Sequence, residues 1–341
     1  MIEPFETKEA IDLNNEYILE TQSSKYWKMI LSFCIILIII IILGIIVIKL
    51  SMVDFEKNKI QVICKYDIKN ANSERLLNEK FDTNYYEVSM YIDDKLQEYK
   101  NDTSNIDKTG IHTVKYLFNR ILKLENMFKN IDNVISINIS SNNGYLDDSL
   151  SHAFSNCTRL ESLSLNVNTR NSEDMSYMFF NCNNLKNVNF NLGNNKQNTN
   201  KTKFTSIVKD MTSMFSGCTS LTSINLTLFD TKNANNFTSM FENCKSLKSL
   251  NLSNFNTSLI TNMELMFSNC TEITSIDIFN FNTSLVNNMS YMFYNCQNLK
   301  TLNYSELFKP CKNDTDTGSM FDNCPVDKPN WYTNDSIIDF L

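Results

Sequence analysis

The sequence predicts an α/β repeat solenoid, each rung a short helix or turn followed by a short parallel strand, with one membrane-spanning helix near the N-terminus. Three observations predict it. An apolar run extends from Met29 to Ile48, a phrase Met-Phe-x-x-Cys returns every 25–26 residues, and a spaced apolar triplet follows each of those cysteines. The 341 residues divide into a tail (1–28), the transmembrane helix (29–48), a membrane-proximal segment and N-terminal cap (49–112), the solenoid (113–324) and a C-terminal cap (325–341).

The apolar run comes first. Twenty residues at helical rise span about 30 Å, the thickness of a bilayer's hydrocarbon core. Tyr26 and Trp27 sit at one edge, where amphipathic rings favour the headgroups, and Lys28 and Lys49 bracket the run. The preceding segment is acidic (Glu3, Glu6, Glu9, Asp12, Glu16, Glu20) and no small-x-small cleavage pattern follows, so an uncleaved anchor is expected rather than a signal peptide. Lys49, Lys57, Lys59 and Lys65 outnumber Lys25 and Lys28, a small bias that, read literally, puts the C-terminal side in the cytoplasm.

The segment from Ser51 to Gly110 is read as a small cap, because a solenoid needs its first apolar rung covered. Ile60–Ile68 alternates like a strand, Glu87–Ile92 reads as a second, Asn105–Gly110 as a polar loop, and Val114–Leu124 completes the cap.

The repeat then begins. Its clearest copies start at Met214-Phe215, Met240-Phe241, Met266-Phe267 and Met292-Phe293. Met178-Phe179 lies earlier by one period plus about ten residues, which places an insertion at Leu192–Thr202. Ala153-Phe154 and Met127-Phe128 extend the series backward, and Met320-Phe321 closes it. After Cys244 come Leu247, Leu250, Leu252 and Phe255, and the copies at Cys218 and Cys270 repeat that register. The L-x-L portion has the period of a strand with one buried face. Upstream, Met263 is spaced three and four from Met266 and Phe267, as on a short helical turn. One such unit cannot bury its apolar side, but stacked units can.

Seven cysteines (Cys157, Cys182, Cys218, Cys244, Cys270, Cys296, Cys324) share one rung position, and Ile131 holds it in the first copy. Stacked sulfurs have two equivalent neighbours each and cannot pair uniformly, so buried free thiols are expected. A Cys311–Cys324 bridge at the end of the column is a separate alternative. Pro325, Pro329 and Trp331 read as the chain leaving the stack under an aromatic cover.

Met-Phe-x-x-Cys-x-x-Leu-x-x-Leu-x-Leu-x-x-Phe-(Asn/Asp)-Thr at this period resembles the BspA-like leucine-rich-repeat surface proteins of bacteria and protists. The resemblance covers about Thr113 to Cys324 and implies a cell-surface location with roles in adhesion and in host or matrix binding. The N-terminal anchor, the insertion and the non-repeat segment before the array depart from the usual pattern.

Chemistry is expected to be binding rather than catalysis. A net charge of −7 argues against nucleic acid, and two histidines (His112, His152) give no basis for histidine chemistry or a His-based metal site. No nucleophile elbow, phosphate loop, H-E-x-x-H or C-x-x-C occurs, so neither an enzyme nor a resident cofactor or metal is expected. The outward residues of the strands form the candidate ligand face: Ser223, Asn225 and Thr227; Ser249, Asn251 and Ser253; Ser275, Asp277 and Phe279; Thr301, Asn303 and Ser305. Such a face can be a sheet surface whose polar groups satisfy each other, or a hydrogen-bonding site for protein or glycan. Phe279 is the candidate anchor, and the Leu192–Thr202 insertion a second candidate site. The expected function is a membrane-anchored, extracellular adhesion or recognition protein. An intracellular membrane-tethered scaffold is the alternative that the lysines after the anchor and the expected free thiols favour.

Overall fold

The computed structural model describes residues 25–47, 49, 59–81, 88–119, 121–146, 149–169, 171–191, 205, 207–310 and 315–332. The chain divides into two units, Met1–Glu56 and Lys57–Leu341. In the first, Lys25–Val47 is one exposed helix, long and apolar enough to cross a membrane. It starts four residues before the apolar run, taking in Lys25–Lys28, and Ile48 lies outside the described residues.

The second unit is a solenoid behind a β-sheet cap. Each rung has two walls, and the upstream wall is all turn. Its residues alternate between two hydrogen-bonding duties. Met214, Ser216 and Cys218 donate their N–H three residues back, to Met211, Ser213 and Phe215. The residues between them, Ser213, Phe215 and Gly217, donate forward to Thr238, Met240 and Glu242 of the next rung, at 2.8–2.9 Å. A helix would spend every N–H within its own rung. Diverting alternate donors between rungs requires a left-handed residue every fourth position: Ser213 and Gly217, Ser239 and Asn243, Leu265 and Asn269, Tyr291 and Asn295. Asparagine tolerates that conformation well, whereas Leu265 and Tyr291 hold it at a cost of about 1–3 kcal/mol each.

The downstream wall carries the strands. β1 (Ile60–Ile68), β2 (Ser89–Ile92), β3 (Lys95–Gln97) and β4 (Gly110–Phe118) belong to the cap; β5 (Ile121–Leu122) and β6 (Val134–Leu146) open the array. β7 (Ser162–Asn168) and β8 (Asn187–Asn191) continue it in parallel, in the sheet order β3-β2-β4-β1-β6-β7-β8. β9 (Ser275–Ile278) and β10 (Thr301–Tyr304) form a separate parallel pair. Between them, Leu221–Phe229 and Leu247–Phe255 bury the same side chains without forming a strand ladder. Six successive parallel bridges, from Ser149 through Asp174, Asp210, Asn236, Asn262 and Asn288 to Asp316, run the length of the array instead.

Three side-chain columns fill and bind the stack. Phe128, Phe154, Phe179, Phe215, Phe241, Phe267, Phe293 and Phe321 stack with centroids 5.3–5.8 Å apart and planes within 2–16°, an offset arrangement. Buried Thr205, Thr231, Thr257 and Thr283 form the second column: the Thr257 hydroxyl donates to the Asn282 carbonyl at 3.0 Å and accepts from the Asn282 N–H at 2.8 Å. The cysteines form the third. Each thiol from Cys157 to Cys296 donates to the phenylalanine carbonyl of the rung before it, as Cys244 does to Phe215 at 3.2 Å. This explains Ile131. The first copy has no preceding phenylalanine carbonyl, so its column residue needs no donor. Cys324 is a free thiol, and Cys311 lies outside the described residues.

The cap closes the N-terminal end of both walls. β1 pairs antiparallel with β6, covering the edge of the first repeat strand. Asn78 stands in for a missing rung at the turn wall: its N–H donates to Met127 at 2.9 Å and its side-chain amide to Lys129 at 2.9 Å. Arg159 reaches back to Asp67 in an ion pair that holds the Asp67 carboxyl below its usual range. The boundary expected at 112/113 falls inside β4, whose pairing with β1 extends the cap to Phe118. At the far end Trp331 packs on Phe308 and Tyr332 on Phe321.

Candidate ligand-binding face

Alternation along Leu221–Phe229, Leu247–Phe255, β9 and β10 turns one set of residues inward and leaves the other in solvent. Eleven of the twelve expected face residues are exposed. Ser305 is half-buried, and its hydroxyl accepts from the Leu307 N–H at 3.3 Å, so it belongs to the turn rather than to the face. One extra residue between Leu302 and Phe308, relative to Leu250–Phe255, causes this shift and leaves Leu307 exposed beside Phe279's rung.

The face is partly committed to the fold. Asn225, Asn251 and Asp277 each use Oδ1 to accept an N–H two residues on, from Thr227, Ser253 and Phe279, all at 3.0 Å. These caps end the strand and aim the following residue outward. The remaining capacity faces solvent: the amide nitrogens of Asn225 and Asn251, the second oxygen of Asp277, the Asn303 amide, and the hydroxyls of Ser223, Ser249, Ser275 and Thr301. None has a hydrogen-bond partner among the described residues.

A groove of about 340 Å³ runs across these four rungs. Ser223, Ser249, Ser275 and Thr301 form one side and Asn251, Asp277 and Asn303 the other. The edges of Ile224, Leu250 and Ile276 form its floor. Asp277 is the one charged residue lining it, while Lys248 and Lys300 are exposed on the flank. Phe279, 54 % exposed, is the next outward residue after Asp277 in β9's rung, two positions on. The Leu192–Thr202 insertion lies outside the described residues. The buried thiols offer no reactive group, since burial pushes Cys64, Cys182 and Cys244 up to about 12.

Residues 124–213 match the BspA-type leucine-rich-repeat region, in six copies. The first part of the repeat array is a BspA-type leucine-rich-repeat region. Residues 209–332 match a family described as Mycoplasma protein of unknown function, DUF285. No curated protein and no solved structure matches the chain. The two family matches meet at the rung of Met211 and Met214, and the stacked columns run through that junction without a break. A BspA-like array preceded by one apolar helix fits a surface repeat protein.

Proposed function

We propose that this chain is a membrane-anchored surface protein whose BspA-like array recognises a protein or glycan ligand outside the cell through the strand face. The observation that carries this reading is the row of unspent hydroxyls and amides along a four-rung groove. A face kept polar only for solubility has no need of a concave floor. The reading is non-catalytic: the described lining residues offer hydroxyls and amides with the single carboxylate of Asp277, and no histidine, lysine or second carboxylate stands among them to form an acid–base pair. The anchor is the Lys25–Val47 helix.

The lysines after the helix favour the other topology, a scaffold facing the cytoplasm. The free thiols favour neither, because desolvation makes them unreactive in either compartment. Protease treatment of intact cells tests the outward reading. Digestion of the repeat domain with a cytoplasmic marker left whole is expected; protection of the domain until the membrane is opened would put it inside. Quantitative recovery in the soluble fraction after alkaline extraction would remove the anchor.

A further inference from the structure

We propose that the strand-face groove is built for a neutral, extended polysaccharide of equatorially linked pyranose rings; this rests on the strand face being the ligand site. The two middle rungs each present three groups in sequence order, a hydroxyl (Ser249, Ser275), an apolar edge (Leu250, Ile276), then an amide or carboxylate (Asn251, Asp277); the outer rungs add Ser223 with Ile224 at one end and Thr301 with Asn303 at the other. Across the groove this reads polar, apolar, polar. An equatorially substituted pyranose ring has the complementary cross-section, with C–H groups on its flat faces and hydroxyls around its rim. The flat face settles on the aliphatic floor while the rim hydroxyls meet the serine row on one side and the amide row on the other.

Along the groove the match is one of repeat. The paired strands β9 and β10 lie about 4.8 Å apart, close to the advance per sugar in such a chain, and the same groups recur rung by rung back to Ser223. A peptide advances about 3.3 Å per residue when extended and finds no one-to-one register with the rungs. A peptide added to a sheet is also held by main-chain bonds to an edge, whereas the groove offers a face and side chains only. Hydroxyls and amides both donate and accept, as sugar hydroxyls do. Phe279, two residues beyond Asp277 in the third of the four rungs and more than half exposed, stands beside the amide row and supplies an aromatic plane for the sugar that passes it.

The test uses the full chain in a non-glycosidic detergent, so that the added hexamers are the only sugars present. Cellohexaose and chitohexaose are the probes, maltohexaose the coiled control, and calorimetry the readout. Saturable binding of an extended hexamer, little changed between low and high salt, is expected. Phe279→Ala should weaken it about tenfold or more, and Ser249→Glu with Ser275→Glu should abolish it. Asp277→Asn keeps the local cap, as Asn251 does, and should change it less than about threefold. A large loss with Asp277→Asn together with steep salt sensitivity would identify a cationic partner and overturn the proposal. Absence of binding by both extended hexamers, with circular dichroism unchanged, would overturn it too. In that case a protein ligand whose binding is lost in the Ser249→Glu, Ser275→Glu variant would leave the strand-face reading standing, and indifference of cell adhesion to that variant would remove both.

Discussion

The two walls of a rung bury the same kind of side chain but are held to their neighbours differently. In the turn wall every second N–H crosses to the next rung, at the same positions from Asn126 to Asn295. In the strand wall the crossing bonds form a ladder only through β6–β8 and again in β9–β10. Ser223–Leu226 and Leu250–Leu252 make no such bonds among the described residues. The polarity also reverses: turn-wall amides donate forward, while Lys248 and Lys300 donate backward to Thr222 and Thr274. The lesson is a division of labour. The turn wall, with its phenylalanine, cysteine and threonine columns, supplies cohesion. The strand wall, relieved of that duty, presents a polar surface.

Perturbing the turn wall should therefore cost far more than perturbing the face. The largest effect is expected from the thiol column at alkaline pH. Burial raises the column thiols Cys182 and Cys244, and with them Cys64 in β1 of the cap, from about 9 to about 12. The unfolded chain loses these protons first, so stability is full below pH 9 and falls as pH climbs toward 12. The slope is about 1.4 kcal/mol per pH unit for each thiol. Denaturant midpoints measured between pH 8 and pH 11 should show this fall, and Cys182→Ala with Cys244→Ala should make it shallower. Next is Phe241→Ala, which opens a gap in the middle of the ring stack and should cost about 3–5 kcal/mol. Thr257→Val removes a hydroxyl that serves both the N–H and the carbonyl of Asn282, and about 1–3 kcal/mol should be lost; Thr257→Ser should recover most of it. Phe279→Ala is expected to change the free energy of unfolding by less than about 0.5 kcal/mol. A destabilisation comparable to Phe241→Ala would show the face to be structural and erase the contrast.

The sequence made some of this legible and hid the rest for definite reasons. Strict spacing exposed whatever depends on translation: the phenylalanine stack, the buried cysteine column, the inward leucines and the outward Ser/Asn face. Conformation was less visible. Spacings of three and four between Met263, Met266 and Phe267 fit a helix as well as a run of turns, and only the left-handed backbone at Leu265 and Asn269 separates the two. The cap was readable as strands, yet nothing marked Asn78 as the residue that completes the first turn, because its partners at Met127 and Lys129 are distant in sequence. On the face, the Asx caps of Asn225, Asn251 and Asp277 are local patterns that spacing alone did not reveal. They divide each side chain between fold and ligand. Ser305 was misplaced because one added residue before Phe308 turns it toward the backbone of Leu307.

Hydrogen exchange of the full chain, followed by mass spectrometry across the central rungs, tests the division of labour most directly. The turn-wall amides of Ser213, Phe215, Gly217, Ser239, Phe241 and Asn243 should exchange only through global opening. Those of Ser223–Leu226 and Leu250–Leu252 should exchange much faster, with β9 and β10 between the two. Equal protection of both walls, or a strand wall slower than the turn wall, would contradict the account.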